Sequence, residues 1–259
     1  FTAYPVTTWG ALARSGYLTG DQEGIYAMVG AYGADPTLQD VDNHGTNFSF
    51  DFDFGANIMG EIGYKHDWVQ NTTGNPGKIA VGGWWFTGPF PKFNGGPANG
   101  AGGFFYFIHQ NLYNEASGEA PSRERLTRRD LWGNSDNVLD SVQGLFFFST
   151  GQFASNLEVS QADWFVSNGF YYRGLIPGRD QDVLSIGCAY LSFGDNWAQS
   201  QIRRGQLPQD YEMELELSYR FVVTDYFYVQ PNIQGVINPQ ANGSLPDALV
   251  LGLQMQVDF

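Results

Sequence analysis

The chain has 259 residues, which is enough for one large domain or two small ones, and its 42% hydrophobic content excludes a disordered chain. Its formal net charge of −14 argues against a nucleic-acid partner, because binding to phosphates requires clustered Lys and Arg. Charged residues make up only 15% of the chain, whereas aromatic residues make up 16% and glycines number 33. We therefore expect a fold that exposes few charges.

Metal and disulfide chemistry are not indicated. Cys188 is the single cysteine, so no internal disulfide forms, and His44, His66 and His109 lie far apart without the spacing of a metal site. We expect no metal and no cofactor. No apolar run reaches the roughly 18 to 20 residues of a membrane-spanning helix. No signal-type segment follows Phe1, so we expect that the chain is processed, truncated or only partly represented.

Alternation of apolar and polar residues with a period of two recurs along the chain and predicts an all-β fold. Glycine-, asparagine- and proline-rich connectors at 88–103 and 238–247 are typical of surface loops, and a charged stretch at 122–132 indicates a helical insertion. No domain boundary is evident, so we expect a single domain over residues 1–259. The predicted strands are near 24–32, 55–66, 77–87, 103–113, 143–152, 163–173, 182–193, 211–221, 226–236 and 248–259.

The last three predicted strands show the alternation most clearly. Three glutamates, Glu212, Glu214 and Glu216, fall on one face of the strand 211–221, opposite an apolar and aromatic face. A tight hairpin at Thr224 leads into the next strand. One face of the final strand is apolar throughout, with Leu249, Leu251, Leu253, Met255, Val257 and Phe259.

Strand length favours a membrane barrel over a soluble sheet. Strands in soluble folds cluster near 5 to 6 residues, whereas a tilted strand that crosses a bilayer needs about 9 to 11. In such a barrel the apolar face contacts lipid, the polar face lines a lumen, and interfacial aromatic residues form belts. Candidates for these belts are Trp85, Tyr113, Trp164 and Tyr226, and Phe259 closes the terminal strand.

The segment Tyr211 to Phe259 resembles the end of the carbohydrate-selective porins of Gram-negative outer membranes. It holds the glutamate-bearing strand, QPNIQ, an NP pair, DALVLGL and the final Phe. RGLIPGRDQDVLSIGCAY (173–190) and GGFFYFIHQNLYNE (102–115) resemble further segments of the family, and WGALARSGYLTGDQEGIYAMVGAY (9–32) resembles a pair of its strands. The resemblance implies a transmembrane antiparallel β-barrel of sixteen strands, of which about ten are visible here and roughly the first six are missing. Barrel geometry agrees, because an aqueous channel needs about sixteen to eighteen strands.

A porin of this kind passes monosaccharides or similar small neutral solutes, and its lumen combines polar side chains with aromatic contacts. Four arginines in the insertion form a candidate constriction loop, with a solvated helix as the alternative interpretation: Arg123, Arg125, Arg128 and Arg129. The strand count places this insertion on the periplasmic side, so either a strand is miscounted or the insertion folds into the lumen. The candidate lumen residues are Glu212, Glu214, Glu216, Arg220, Gln230, Asn232, Gln234, Arg173, Arg179, Asp180 and Asp182. For each of these, ordinary lumen polarity or a structured turn is the alternative interpretation.

Other functions stay open at this point. Paired carboxylates on one face are also used by glycoside hydrolases, but a regular polar face explains the glutamates without catalysis, and we expect no enzyme. A scaffold barrel within a larger envelope assembly is the main alternative to a transporter, and a soluble lectin or hydrolase is a third. The net charge predicts a preference for cations over anions, and a homo-oligomer is an open alternative.

Overall fold

The computed structural model describes residues 9–15, 23–34, 55–68, 73–115, 142–224 and 226–257. Its strands form a single antiparallel sheet in which each strand pairs with its neighbours in sequence order. The strands are β1 (Gly10–Ser15), β2 (Gly24–Gly33), β3 (Ala56–His66), β4 (Gly77–Pro91), β5 (Pro97–Asn114), β6 (Gly144–Ala154), β7 (Ala162–Arg173), β8 (Val183–Phe193), β9 (Tyr211–Thr224), β10 (Phe227–Ile237) and β11 (Ala248–Val257).

The prediction of an all-β antiparallel fold is confirmed, and each of the ten predicted strands is present. The structure also contains β1, which pairs with β2 as the family resemblance of residues 9–32 implied. It also adds helix α1 (Asp195–Arg203), where Asp195 in the first turn and Arg203 in the last complement the helix dipole. The predicted helical insertion at 122–132 lies outside the described residues. The total of sixteen strands expected for the complete barrel stays a prediction.

The two ends of the sheet differ in the connections that they carry. One end, the loop rim, carries the connections at 92–96, 155–161, 194–210 and 238–247, which include α1. The other end, the turn rim, carries the β3–β4 connection, the turn at 174–182 and the β9–β10 connection. The insertion leaves β5 and re-enters β6 at the turn rim, and these two strands pair directly with each other. No additional strand therefore lies between them in the sheet.

Loops at the loop rim contact one another over long sequence separations. The tip of the β4–β5 hairpin turns through Gly95 and Gly96, both with positive φ, and the Lys92 ammonium lies 2.7 Å from the Glu158 carboxylate. The ring of Phe93 packs on Trp197 of α1, with centroids 5.1 Å apart. These contacts join the connections of β4 through β9 into one layer at this rim.

The outer face of the sheet, which carries Leu251, is apolar and exposed. Leu251 is 77% exposed, and its successive neighbours across the sheet, Ile233, Leu217 and Ile186, are exposed by 37%, 46% and 58%. Completely buried apolar side chains are few among the described residues. A soluble sheet would bury such a face, so this one has the character of a lipid-facing surface.

Aromatic side chains lie at both ends of the outer face. Near the loop rim the rings of Trp164, Tyr190 and Tyr211 stack in series, with centroids 4.8 and 5.4 Å apart. Tyr113 and Tyr226 are exposed toward the turn rim. Two aromatic zones at opposite strand ends are the pattern of interfacial belts.

The spacing of these zones fits a bilayer. On β9 the outer face runs from Tyr211 to Phe221, ten residues on, which at about 3.3 Å per residue is about 33 Å along the strand. A strand tilt of about 40° reduces this to about 25 Å, the height of the apolar band of outer-membrane barrels. Within the described part of the chain, no helix is both long and apolar enough to cross a membrane.

Candidate functional site: the inner face of the sheet

The inner face, which carries Glu212, Glu214 and Glu216, holds almost all the charges of the strands. Only Asp163, which lies beside an irregularity at the loop end of β7, falls outside this pattern. A charge on the lipid-facing side of a barrel costs about 2–4 kcal/mol at mid-membrane, so this partition shows which face is wetted. The strand charges are Arg14, Lys65, Lys78, Arg173 and Arg220 together with Glu61, Asp163, Glu212, Glu214 and Glu216.

As a group, the strands therefore carry no net charge, although the chain as a whole carries −14. The acidic excess lies in the connections and in segments outside the described residues. The expected preference for cations was based on total charge and stays a prediction. The carboxylates on the inner face of the strands are Glu61 on β3 and Glu212, Glu214 and Glu216 on β9.

A polar strip runs across β8 to β11 and contains most of the predicted lumen residues. The Glu216 carboxylate accepts hydrogen bonds from the side-chain amides of Gln234 at 2.6 Å and Asn232 at 3.5 Å. Glu214 lies one step nearer the loop rim, level with Val236. The Glu212 carboxylate accepts from the backbone N–H of Gln240 at 2.6 Å, so it ties β9 to the neighbouring loop.

Arg220 anchors the turn-rim end of the same strip. Its Nε donates to Gln230 Oε1 at 2.9 Å, and its guanidinium lies 4.5 Å from the ring centroid of Tyr228. Gln230 in turn donates to the Ser218 hydroxyl at 3.3 Å. Arg173 lies on the same face, two strands away, because both Arg173 and Arg220 pair with Val183. The structure therefore groups Arg173, Arg220 and Gln230 at one end of the strip.

Arg179 and Asp182 are placed differently, in the turn that joins β7 to β8. Arg179 donates two hydrogen bonds to the Asp182 carboxylate, at 2.8 and 2.9 Å. The same carboxylate accepts from the Val222 backbone N–H at 2.9 Å and from the Tyr219 hydroxyl at 3.0 Å, and its side chain is only 3% exposed. Four hydrogen bonds saturate this group, which favours the structured-turn alternative over a solute contact. Asp180 is exposed in the same turn.

An aromatic strip on the inner face of β4 to β6 was missed at the sequence level. Trp84 and Phe105 are nearly parallel, with ring centroids 6.4 Å apart and planes 24° apart, and Phe107 and Phe148 continue the strip. The glycine pairs followed by aromatic runs in VGGWWF (81–86) and GGFFYF (102–107) carry the signal for it. Adjacent Trp85 instead faces outward and is 42% exposed.

Glycines on the neighbouring strands make room for these rings. A Cβ atom at Gly82 would lie 2.4 Å from Cζ of Phe105, and one at Gly103 would lie 2.6 Å from Cη2 of Trp84. Each ring therefore reaches sideways over the backbone of the adjacent strand instead of standing away from the wall. Rings in this position cover the wall with apolar surface of the kind that packs against a sugar ring.

The turn-rim end of β5 to β7 is filled on the inner face. Trp68, Val142 and Phe146 are buried together, and the Phe146 ring stacks on Tyr171 with centroids 4.6 Å apart. His109 Nε2 hydrogen-bonds to the Tyr171 hydroxyl at 2.6 Å. This cluster closes the space over part of the inner face, next to the half-buried polar strip.

Several predicted features lie outside the described residues. These are the candidate constriction loop with Arg123, Arg125, Arg128 and Arg129, the terminal Phe259, and His44. Among the residues that are described, no cluster of three or more His, Cys, Asp or Glu side chains could hold a metal ion.

A sheet of long antiparallel strands with an apolar outer face, two aromatic zones and a wetted, charge-bearing inner face defines an outer-membrane porin-type protein. The chain belongs to the family described as carbohydrate-selective porin, OprB family, which matches it over residues 1–259. This confirms the resemblance seen in the sequence and makes the chain a protein of the Gram-negative outer membrane. The family is one of channels and not of enzymes.

Individual relatives agree with this assignment. Porin B of Pseudomonas aeruginosa is 29% identical over 104 residues, which are 35% of this chain and 23% of that protein. The high pH structure of Pseudomonas putida OprB matches with a TM-score of 0.77 and 20% identity, covering 99% of this chain and 60% of that one. The low pH structure of the same protein matches with a TM-score of 0.56, 19% identity, and coverage of 100% and 57%. At these identities the solved structures show the fold, and the chain spans about three fifths of their length.

Proposed function

We propose that this chain forms part of an outer-membrane porin through which monosaccharides and similar small neutral solutes diffuse passively. The observation that carries the proposal is that one face of one sheet presents both kinds of group that a sugar contacts. Amide and carboxylate side chains on β9 and β10 exchange hydrogen bonds with hydroxyls, and rings on β4 to β6 offer apolar surface to the sugar ring. The opposite face is apolar and suits lipid.

Solute selection follows from weak, repeated contacts. The carboxylate of Glu216 already accepts hydrogen bonds from the amides of Asn232 and Gln234, so a passing sugar exchanges these bonds for its own. Exchange of this kind keeps binding weak enough for release, which conduction requires. No covalent step is needed.

Contact of the outer face with lipid and assembly into a homo-oligomer are proposed with this role, and cross-linking in native membranes tests the oligomer.

The matched pair Trp84 and Trp85 tests the path. In planar bilayers that contain the full-length protein, glucose should block ion conductance in a saturable manner. Trp84→Ala should weaken the block about two- to tenfold, because one aromatic contact contributes about 0.5–1.5 kcal/mol. Trp85→Ala, on the outer face, should leave the block unchanged. An equal effect of both substitutions, or no swelling of liposomes in glucose, would contradict the proposal.

One observation favours the alternative of a scaffold barrel. The buried cluster of Trp68, Val142 and Phe146 fills part of the inner face. If filling of this kind extended across the whole lumen, the reconstituted protein would show no steady conductance in salt alone. An open channel of steady conductance excludes the scaffold role.

A further inference from the structure

Arg220 is a half-buried side chain on the inner face of β9, toward the turn rim. It forms no ion pair within the part of the chain that the structure describes. The position is five strands away from the lysine pair Lys65 and Lys78, which lie opposite each other on β3 and β4. A half-buried charge without a counter-ion costs free energy. Other contacts of Arg220 must therefore hold it in place.

The guanidinium of Arg220 is held from two sides. Its Nε donates a hydrogen bond to Gln230 Oε1 at 2.9 Å, and the group lies 4.5 Å from the ring centroid of Tyr228. The Tyr228 hydroxyl donates to Gln256 Oε1 at 2.6 Å, which holds the ring in position. Neither contact uses the terminal nitrogens Nη1 and Nη2, and these atoms form no hydrogen bond with the described residues. The N–H donors at the end of the guanidinium therefore remain for a ligand.

A chain of buried polar groups supports this arrangement from behind. Gln230 Nε2 donates to the Ser218 hydroxyl at 3.3 Å, and that hydroxyl lies 2.7 Å from the hydroxyl of Ser185. Ser218 is only 4% exposed. The chain fixes the Gln230 amide so that its oxygen points toward Arg220. The guanidinium is thus oriented before any ligand arrives, and binding loses little side-chain entropy.

The carboxylates near Arg220 are already engaged. Glu216, two positions along the same face of β9, accepts hydrogen bonds from two side-chain amides. Asp182 precedes Val183, the partner of Arg220 on β8, and its carboxylate is ion-paired with Arg179 in the turn. Neither carboxylate neutralises Arg220, so its positive charge and its free donors act at the same point of the wall.

We propose that Arg220, held by Gln230 and Tyr228, is a subsite for the carboxylate group of small anionic sugars such as aldonates and uronates. Nη1 and Nη2 donate two parallel hydrogen bonds to the two carboxylate oxygens, the geometry that a planar guanidinium favours. The inference rests on the proposed sugar-porin function and extends its substrate class from neutral sugars to sugar acids. The acidic connections repel such anions, and one oriented cation on the wall offsets this repulsion locally.

The test compares glucuronate with glucose as blockers of single-channel conductance, using the full-length protein in planar bilayers at constant ionic strength. In the unsubstituted protein, glucuronate should reach half-block at a lower concentration than glucose, because only glucuronate carries a carboxylate. Arg220→Gln should raise the half-blocking concentration of glucuronate about tenfold, the loss expected for one charged hydrogen bond, and that of glucose less than twofold. Arg220→Lys, which keeps the charge but lacks the planar fork, should raise that of glucuronate about threefold.

Arg204→Gln is the matched control, because it removes the same charge from an exposed arginine on the loop rim, where the guanidinium lies 5.8 Å from the ring centroid of Trp197. It should leave both half-blocking concentrations unchanged. The inference is overturned if the unsubstituted protein binds glucuronate no better than glucose, or if Arg220→Gln weakens both blockers equally. The comparison within the unsubstituted protein stands even if a variant does not fold. If glucose itself neither blocks nor permeates, the proposed function fails, whereas block by glucose without a preference for glucuronate overturns only the Arg220 subsite.

Discussion

Replacement of Arg179 by Ala should destabilise the barrel and leave the solute path intact. The substitution removes two of the four hydrogen bonds on the buried Asp182 carboxylate, and the Val222 N–H and Tyr219 O–H donors remain. Charge-assisted hydrogen bonds contribute about 1.5–3 kcal/mol each. Arg179 is 42% exposed, so water replaces part of the loss and we expect about 2–3 kcal/mol of destabilisation.

Urea unfolding of the full-length protein in phospholipid vesicles, followed by tryptophan fluorescence and heat-modifiable gel mobility, measures this loss. With a slope of about 1–3 kcal/mol per M, the midpoint should fall by about 1 M. Asp180→Ala, in the same turn but exposed, is the matched control and should change stability by less than about 0.5 kcal/mol. Equal stability of the two variants would refute the structural role of the ion pair. A change in glucose block for Arg179→Ala without a change in stability would instead return Arg179 to the solute path.

Two further results are expected. Leu251→Arg, on the outer face of β11, should reduce folding stability by about 2–4 kcal/mol in the same urea assay. Gln254→Arg, on the inner face of that strand, should have little effect. A larger loss for Gln254→Arg than for Leu251→Arg would contradict the assignment of the faces. Glu214→Gln should lower the ratio of cation to anion permeability by about two- to fourfold at low salt, because one unit charge at about 5 Å contributes about 0.8 kcal/mol in water. The reversal potential in a KCl gradient measures this ratio. An unchanged reversal potential would show that Glu214 does not face the ion path.

The sequence predicted the strands because lipid and water impose opposite demands on alternate residues. On the last three strands, as from Glu212 to Phe221, the alternation was readable, and the register places the residues of each predicted face on one side of the sheet. β1 was absent from the strands predicted by alternation, because six residues give few repeats, and only the family resemblance of residues 9–32 implied it. α1 was missed because its nine residues, from Asp195 to Arg203, lie inside a loop. Local pattern thus failed where an element was short.

The residues of the candidate site also differ in whether a local sequence pattern could predict their contacts. The group of Glu216, Asn232 and Gln234 was predicted because its members share a polar face on two strands joined by a tight hairpin, so sequence alone brings them together. Arg179 and Asp182 were proposed for the lumen from their polarity. Their role in the turn depends on contacts with Tyr219 and Val222, about forty residues away, and no local pattern reports such contacts.

Sequence by itself determined the fold class, the family and the two faces of the last three strands, because a period of two is a property of one strand in contact with two solvents. Only the tertiary structure decided which residues of different strands become neighbours. The register of β3 against β4 places Lys65 beside Lys78, and that of β4 against β5 places Trp84 over Gly103. Register is set by pairing between strands, so the aromatic strip and the lysine pair emerge only when the strands are assembled into the sheet.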